Sequence, residues 1–268
     1  MAFTMGPALL FCPADRPDRY DKAAARADAV IIDLEDAVAP AERASARAAL
    51  LGHPLDPERT VVRVNPVGTA DFALDLVALA KTEYRTVMLA KTVSAADARA
   101  LEGYSVIALC ETAAGVLAAP EIAAVPHVVA LMWGAEDLVA SLGGSSSRRA
   151  DGTYRAVARH ARSAVLLAAS AWEKAAIDSV FLALTDHAGL TLEADDAVAS
   201  GFRATACIHP GQVAVIRDAY RPSPAEVAYA WQIIEAAASA NGVFQYQGRM
   251  IDGPLLRHAE AVLRRATL

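Results

Sequence analysis

Ser105-Val106-Ile107-Ala108-Leu109-Cys110-Glu111 is an unbroken apolar run that ends on a carboxylate, and Thr112-Ala113-Ala114-Gly115 follows as a glycine-containing turn. Val128-Val129-Ala130-Leu131-Met132-Trp133-Gly134-Ala135-Glu136-Asp137 repeats the pattern. Continuous rather than alternating apolar residues are what a parallel strand buried on both faces requires. Outward from these two, similar runs fall at 8–13, 29–34, 60–64, 86–90, 179–184 and 205–208, each followed by an amphipathic or alanine-rich segment. The first of those segments reads as an alanine-rich helix through Arg26. Eight such βα units predict a TIM (β/α)8 barrel rather than an open doubly wound sheet. No Gly-x-Gly-x-x-Gly follows the first run, which counts against a dinucleotide-binding fold.

The repeat ends near Tyr220, and Arg221-Pro222-Ser223-Pro224 breaks it. Residues 1–220 are therefore read as the barrel and 221–268 as a C-terminal helical extension. Its helices are expected at about 225–240 and 254–266, with a hairpin or loop at 241–253 between them. Such an extension can fold over a barrel mouth.

The chain has 268 residues, a formal charge of −6 and 55% hydrophobic residues. An acidic balance argues against nucleic acid or an anionic membrane as partner. No charge-free apolar stretch reaches the roughly 18–20 residues of a membrane span, and the N-terminus lacks the pattern of a secretory signal. Cys12, Cys110 and Cys207 sit in apolar runs at wide spacing, as buried residues of a reducing cytosol.

Barrels of this kind gather their reactive groups at the carboxyl ends of the strands. Those ends carry Asp15 and Arg16, Glu35 and Asp36, Arg63 and Asn65, Lys91, Glu111, Asp137 and His209. A carboxylate at the end of a buried strand must be paired, hydrogen-bonded or metal-bound to offset its desolvation. Capping of the next helix is the competing reading for Glu111 and Asp137. Mg2+ uses oxygen ligands and only one or two protein carboxylates, which this pair supplies. Glu35 and Asp36 are then placed to hold metal-bound waters, and Arg63 to bind a substrate carboxylate or an enolate oxygen. Lys91 reads either as a snorkelling strand-end residue or as an ion-pair partner. Asp33 and Trp133 read as structural, and His209 stays outside the catalytic set. Ser145-Ser146-Ser147-Arg148-Arg149 reads as a mobile surface loop ahead of an anion-binding one.

Several stretches together resemble the citrate lyase beta-subunit-like proteins of the HpcH/HpaI aldolase superfamily. They are Phe11-Cys12-Pro13-Ala14-Asp15-Arg16-Pro17, Ile32-Asp33-Leu34-Glu35-Asp36, Val62-Arg63-Val64-Asn65-Pro66, Glu111-Thr112-Ala113-Ala114-Gly115, Trp133-Gly134-Ala135-Glu136-Asp137 and Ile208-His209-Pro210-Gly211-Gln212. The resemblance implies a cytoplasmic Mg2+-dependent carbon–carbon lyase that cleaves a 3-hydroxyacyl-CoA thioester to acetyl-CoA and a keto compound. The malyl, citramalyl, citryl and 3-hydroxy-3-methylglutaryl thioesters are the candidates. By motif, Glu111 and Asp137 bind Mg2+, Arg63 contacts substrate oxygens, and Arg16 and Lys22 contact CoA phosphates. Asp252 is the acid of the extension, expected in proton transfer and often at a neighbouring subunit's site in a homotrimer. An acyl-CoA hydrolase and a citryl-cleaving subunit of a citrate lyase complex are the rivals. Two departures stand out: Ala90 precedes Lys91 where relatives have proline, and Arg203-Ala204-Thr205-Ala206 replaces a glycine–lysine pair.

Overall fold

Eight parallel strands close in chain order: β1 (Ala8–Pro13), β2 (Ala29–Asp33), β3 (Thr60–Val64), β4 (Thr86–Leu89), β5 (Ser105–Cys110), β6 (Val128–Trp133), β7 (Ala175–Asp178) and β8 (Ala204–Cys207), with β8 pairing back to β1. This computed structural model describes residues 3–238 and 242–266. Helices connect the strands, so the expected TIM barrel is the observed fold. No helix among the described residues is long and apolar enough to cross a membrane. All three cysteines are buried.

The interior follows the period of two that a strand imposes. Leu9, Ile31, Val61, Met88, Ile107, Leu109, Ala130, Met132, Ile177 and Ala206 fill the barrel as one apolar cluster. Two residues further along the same strands come Asp33 after Ile31, Arg63 after Val61, Glu111 after Leu109 and Gly134 after Met132. The phase that builds the core thus delivers an acid, a base, an acid and a gap to one layer at the carboxyl ends.

The seventh strand departs from expectation. It lies at Ala175–Asp178, whereas residues 179–184 form the loop after it, with Leu182 and Leu184 exposed. Ala175 and Ala176 carry no strand signature and read as a continuation of the alanine-rich helix Ala156–Ala171. The barrel accepts them because the neighbouring β6 places Ala130 and Leu131 beside them. The eighth strand is displaced by one residue, leaving Ile208 exposed. The first connection is a 3-10 turn (Pro17–Arg19) and a short helix (Tyr20–Ala24) rather than one helix to Arg26.

The chain divides into two compact units after Ile216. In the second, helices Pro224–Ala238 and Gly253–Ala266 pack through Ala230, Ile233, Ala259 and Val262. The hairpin between them is present, β9 (Phe244–Tyr246) pairing antiparallel with β10 (Arg249–Ile251). Gln247 and Gly248 both have positive φ, 47° and 78°, as a tight hairpin turn demands. Phe244, Tyr246 and Ile251 face the helices. The expected end of the first tail helix at Ala240 and the loop start at Asn241 lie outside the described residues.

Candidate active site

Glu111 follows β5 and is 2% exposed. Its Oε1 accepts a hydrogen bond from the Lys91 backbone N–H at 3.1 Å. Its Oε2 lies over Gly134, where an added Cβ would come within 2.7 Å. Burial, and then the nearby Asp137 charge, raise its pKa to about 8, with Arg63 and Lys91 offsetting part of the effect. Glu111 does not cap the helix after it. Thr112 does, accepting from Gly115 N at 3.1 Å. Asp137 stands in the first turn of the helix Ala135–Ser141, with a side chain 36% exposed.

Arg63 ends up facing two acids. Its Nε and Nη2 donate to Asp33 Oδ1 and Oδ2 at 2.7 and 2.6 Å, and its Nη1 lies 3.3 Å from Glu35 Oε2. β2 and β3 pair with Asp33 directly beside Arg63, so strand register makes this bidentate contact. The guanidinium also lies 4.8 Å from the centre of the Phe11 ring. Burial opposes its charge, but Asp33, then Glu35 and Glu111, outweigh it and push its pKa up. Arg63 is a fixed positive charge, and Nη1 is the part of it not committed to Asp33.

Lys91 is an ion-pair partner rather than a snorkelling residue. Its ammonium contacts Glu35, lies 2.8 Å from Asp36 Oδ2 and 3.4 Å from Asp137 Oδ1. Its φ of 48° is rare for a residue with a Cβ, and strain of this kind gathers at functional sites. Glu35 has a raised pKa because burial outweighs Arg63 and Lys91. Asp36 has a lowered one, because Lys91 and Arg63 outweigh its weaker burial.

Arg16, Lys22 and His209 fall outside this knot. Arg16, beyond β1, pairs through Nε with Asp18 at 3.1 Å on the surface. Lys22 is exposed on the helix Tyr20–Ala24. Asp252 belongs to the second unit, where its Oδ1 accepts from Leu255 N at 3.3 Å at the head of the last helix. His209 is exposed, its Nδ1 accepting from Gly211 N at 3.1 Å.

Three features escaped the sequence reading. Asp178 ends β7, accepts from Trp133 Nε1 at 2.6 Å and pairs with Arg162 at 2.8 Å. It was hidden by the misplaced strand, and the spacing of the other strand-end acids is the signal that points to it. Trp133 is the fully buried wall residue expected. Gln212 pins the last turn, accepting from Ile208 N and His209 N and donating to Phe181 O at 2.7 Å. The serine-rich loop, read as mobile and superficial, is tied down. Ser147 is buried and donates to Glu136 at 2.5 Å, while Arg148 pairs with Glu193 and lies 3.9 Å from the centre of the Tyr154 ring.

Among the described residues no group of three or more His, Cys, Asp or Glu side chains could hold a metal ion. That is compatible with Mg2+, which takes one or two protein carboxylates and fills its octahedron with water and substrate oxygens. The Asp137 charge lies close enough to Glu111 to raise its pKa, so the two carboxylates repel one another.

Residues 8–210 match the model of the HpcH/HpaI aldolase/citrate lyase family. A citrate lyase subunit beta-like protein of Mycobacterium tuberculosis is 59% identical over 261 residues, 97% of this chain and 96% of that one. A (3S)-malyl-CoA thioesterase of Cereibacter sphaeroides is 33% identical over 274 residues, covering 97% and 93%. The crystal structure of CitE from M. tuberculosis in complex with magnesium, acetoacetate and coenzyme A matches with a TM-score of 0.93 at 58% identity over 99% of each chain.

Proposed function

The chain belongs to the HpcH/HpaI aldolase/citrate lyase family, and from that membership we propose that it is a Mg2+-dependent carbon–carbon lyase cleaving a 3-hydroxyacyl-CoA to acetyl-CoA and a keto compound. The observation that carries this reading is Glu111: a buried carboxylate with Asp137 beside it, whose charge favours a divalent cation. The magnesium, acetoacetate and coenzyme A held by the 58% identical CitE are of the chemical classes such a cleavage needs and releases.

Glu111 and Asp137 would hold the metal, and Glu35 and Asp36 would support its waters. Bound there, Mg2+ would supply Lewis-acid stabilisation of the negative charge that develops on a substrate oxygen. Arg63, locked by Asp33, presents a fixed positive charge that orients the acid without reorganising during the reaction. Arg16 and Lys22 bind the CoA phosphates. The Arg16–Asp18 pair is exposed and weak, so a phosphate can displace Asp18. Asp252 moves the hydroxyl proton, delivered by a neighbouring copy in a homotrimer. As the proton leaves, the C2–C3 bond breaks and an acetyl-CoA enolate departs, which is then protonated.

A thioesterase is the second reading, favoured by the name of the 33% identical relative. Malyl-, citramalyl-, citryl- and 3-hydroxy-3-methylglutaryl-CoA, each incubated with enzyme and Mg2+, separate the two by their products. Acetyl-CoA with a keto compound is the expected outcome for at least one ester, ranked by kcat/KM. Free CoA with the intact hydroxy acid would assign hydrolysis instead.

Gly134 provides a separate check on the metal pair. A methyl group there would meet Glu111 Oε2 at 2.7 Å and its Cβ at 2.9 Å, so the carboxylate must move. Gly134→Ala is expected to weaken Mg2+ binding by about tenfold or more, read by titration calorimetry. Unchanged affinity would place the metal away from Glu111.

A further inference from the structure

Lys91 touches both carboxylates assigned to the metal, by two different groups. Its backbone N–H holds Glu111 Oε1 at 3.1 Å, and its ammonium stands 3.4 Å from Asp137 Oδ1. The same ammonium contacts Glu35 and lies 2.8 Å from Asp36. The donors that would surround a divalent cation are therefore gathered around an ammonium that belongs to the chain. Arg63 shares only Glu35 with it, through Nη1 at 3.3 Å, because its Nε and Nη2 are bound to Asp33. The Lys91 side chain is 29% exposed and long enough to withdraw toward solvent, whereas its backbone is fixed by the left-handed turn.

Resting on the metal assignment above, we propose that the Lys91 ammonium is a built-in stand-in for the divalent cation, pairing with Asp137, Glu35 and Asp36 until the metal displaces it from Asp137 and so setting the metal affinity. Without it, the metal-free protein would hold Asp36 and Asp137 with no direct cationic contact among the described residues, and Glu35 with Arg63 Nη1 alone at 3.3 Å. With it, each metal ion that binds must break the contact with Asp137. The backbone contact to Glu111 is independent of the side chain and survives a substitution.

The sign of the effect separates this role from support of the site. A lysine that merely orders the carboxylates would, when removed, leave a looser and weaker metal site. A competing lysine, when removed, leaves a tighter one. Mg2+ alone is titrated calorimetrically into full-length, metal-free wild type, Lys91→Met and Lys91→Arg. Lys91→Met keeps the length of the side chain and loses the charge, and is expected to bind Mg2+ about tenfold more tightly. Lys91→Arg keeps the charge and is expected to bind within about threefold of wild type. Metal-free Lys91→Met should melt below wild type, with a larger rise on adding Mg2+. Lys91→Gln serves the same comparison if the methionine variant does not fold.

Unchanged or weaker binding by the neutral variants, with wild type binding normally, overturns the stand-in role and leaves the metal assignment intact. Absence of saturable Mg2+ binding by wild type, Lys91→Met and Lys91→Gln alike overturns both.

Discussion

Glu111→Gln is expected to stabilise the metal-free protein at pH 8.5 and to abolish Mg2+-dependent turnover. The wild-type carboxyl has a folded-state pKa of about 8, against an ordinary 4.5. A carboxyl raised in this way contributes its full stability below its unfolded pKa and loses it as pH rises through the folded value. Wild-type stability in EDTA should therefore fall between pH 4.5 and about 8, and the glutamine variant should not share that fall. The difference at pH 8.5 is expected to be roughly 2–5 kcal/mol, read as urea-unfolding free energies at pH 5 and pH 8.5. Glutamine can still accept the Lys91 N–H, so the variant keeps its place in the fold while losing the charge a metal needs. Asp137→Ala should also lose turnover, but with a small stability change, because Asp137 is far more exposed. Parallel pH profiles for wild type and Glu111→Gln would show that burial of Glu111 is not strained by its charge.

Asp33→Ala is the second large effect. Asp33 accepts four hydrogen bonds, from Arg63 Nε and Nη2 and from the backbone N–H groups of Glu35 and Ala37 at 3.0 and 3.1 Å. Its removal leaves a buried guanidinium without its bidentate partner and two turn amides without acceptors. Breaking a buried pair from one side costs about 3–5 kcal/mol. Released from Asp33, Arg63 also loses its fixed position, and kcat/KM should fall by about a hundredfold. Mg2+ affinity should move by less than about threefold, since neither carboxylate proposed to hold the metal is touched. A loss of metal binding equal to the loss of turnover would make Asp33 part of the metal site instead.

The barrel was legible because its strands are buried on both faces, and a continuous β-branched run such as Val30-Ile31-Ile32 favours a strand over a helix. β7 was not, because Ala175-Ala176 is as compatible with the preceding helix as with a strand, and its partners in the sheet decide the matter. Glu111, Asp137, Arg63, Glu35 and Asp36 were legible as strand-end charges, and the structure brings them together. What they do to one another was not. The Asp33–Arg63 pair depends on the β2–β3 register, which single-strand patterns do not carry. The position of Lys91 depends on a left-handed turn that no glycine announces. Buried Ser147 bonds to Glu136 across the loop, and a polar, glycine-flanked sequence gives no hint of it.

Glu111 and Asp137 are proposed to hold jointly the metal on which cleavage depends. Crystals of the protein grown with Mn2+ in place of Mg2+, measured for anomalous scattering, test it without any assumption about the substrate. The expected map shows one strong peak at the barrel mouth, bonded to an oxygen of each carboxylate, with Lys91 Nζ withdrawn from Asp137. A peak bound to neither residue, or no peak at saturating Mn2+, would contradict the account.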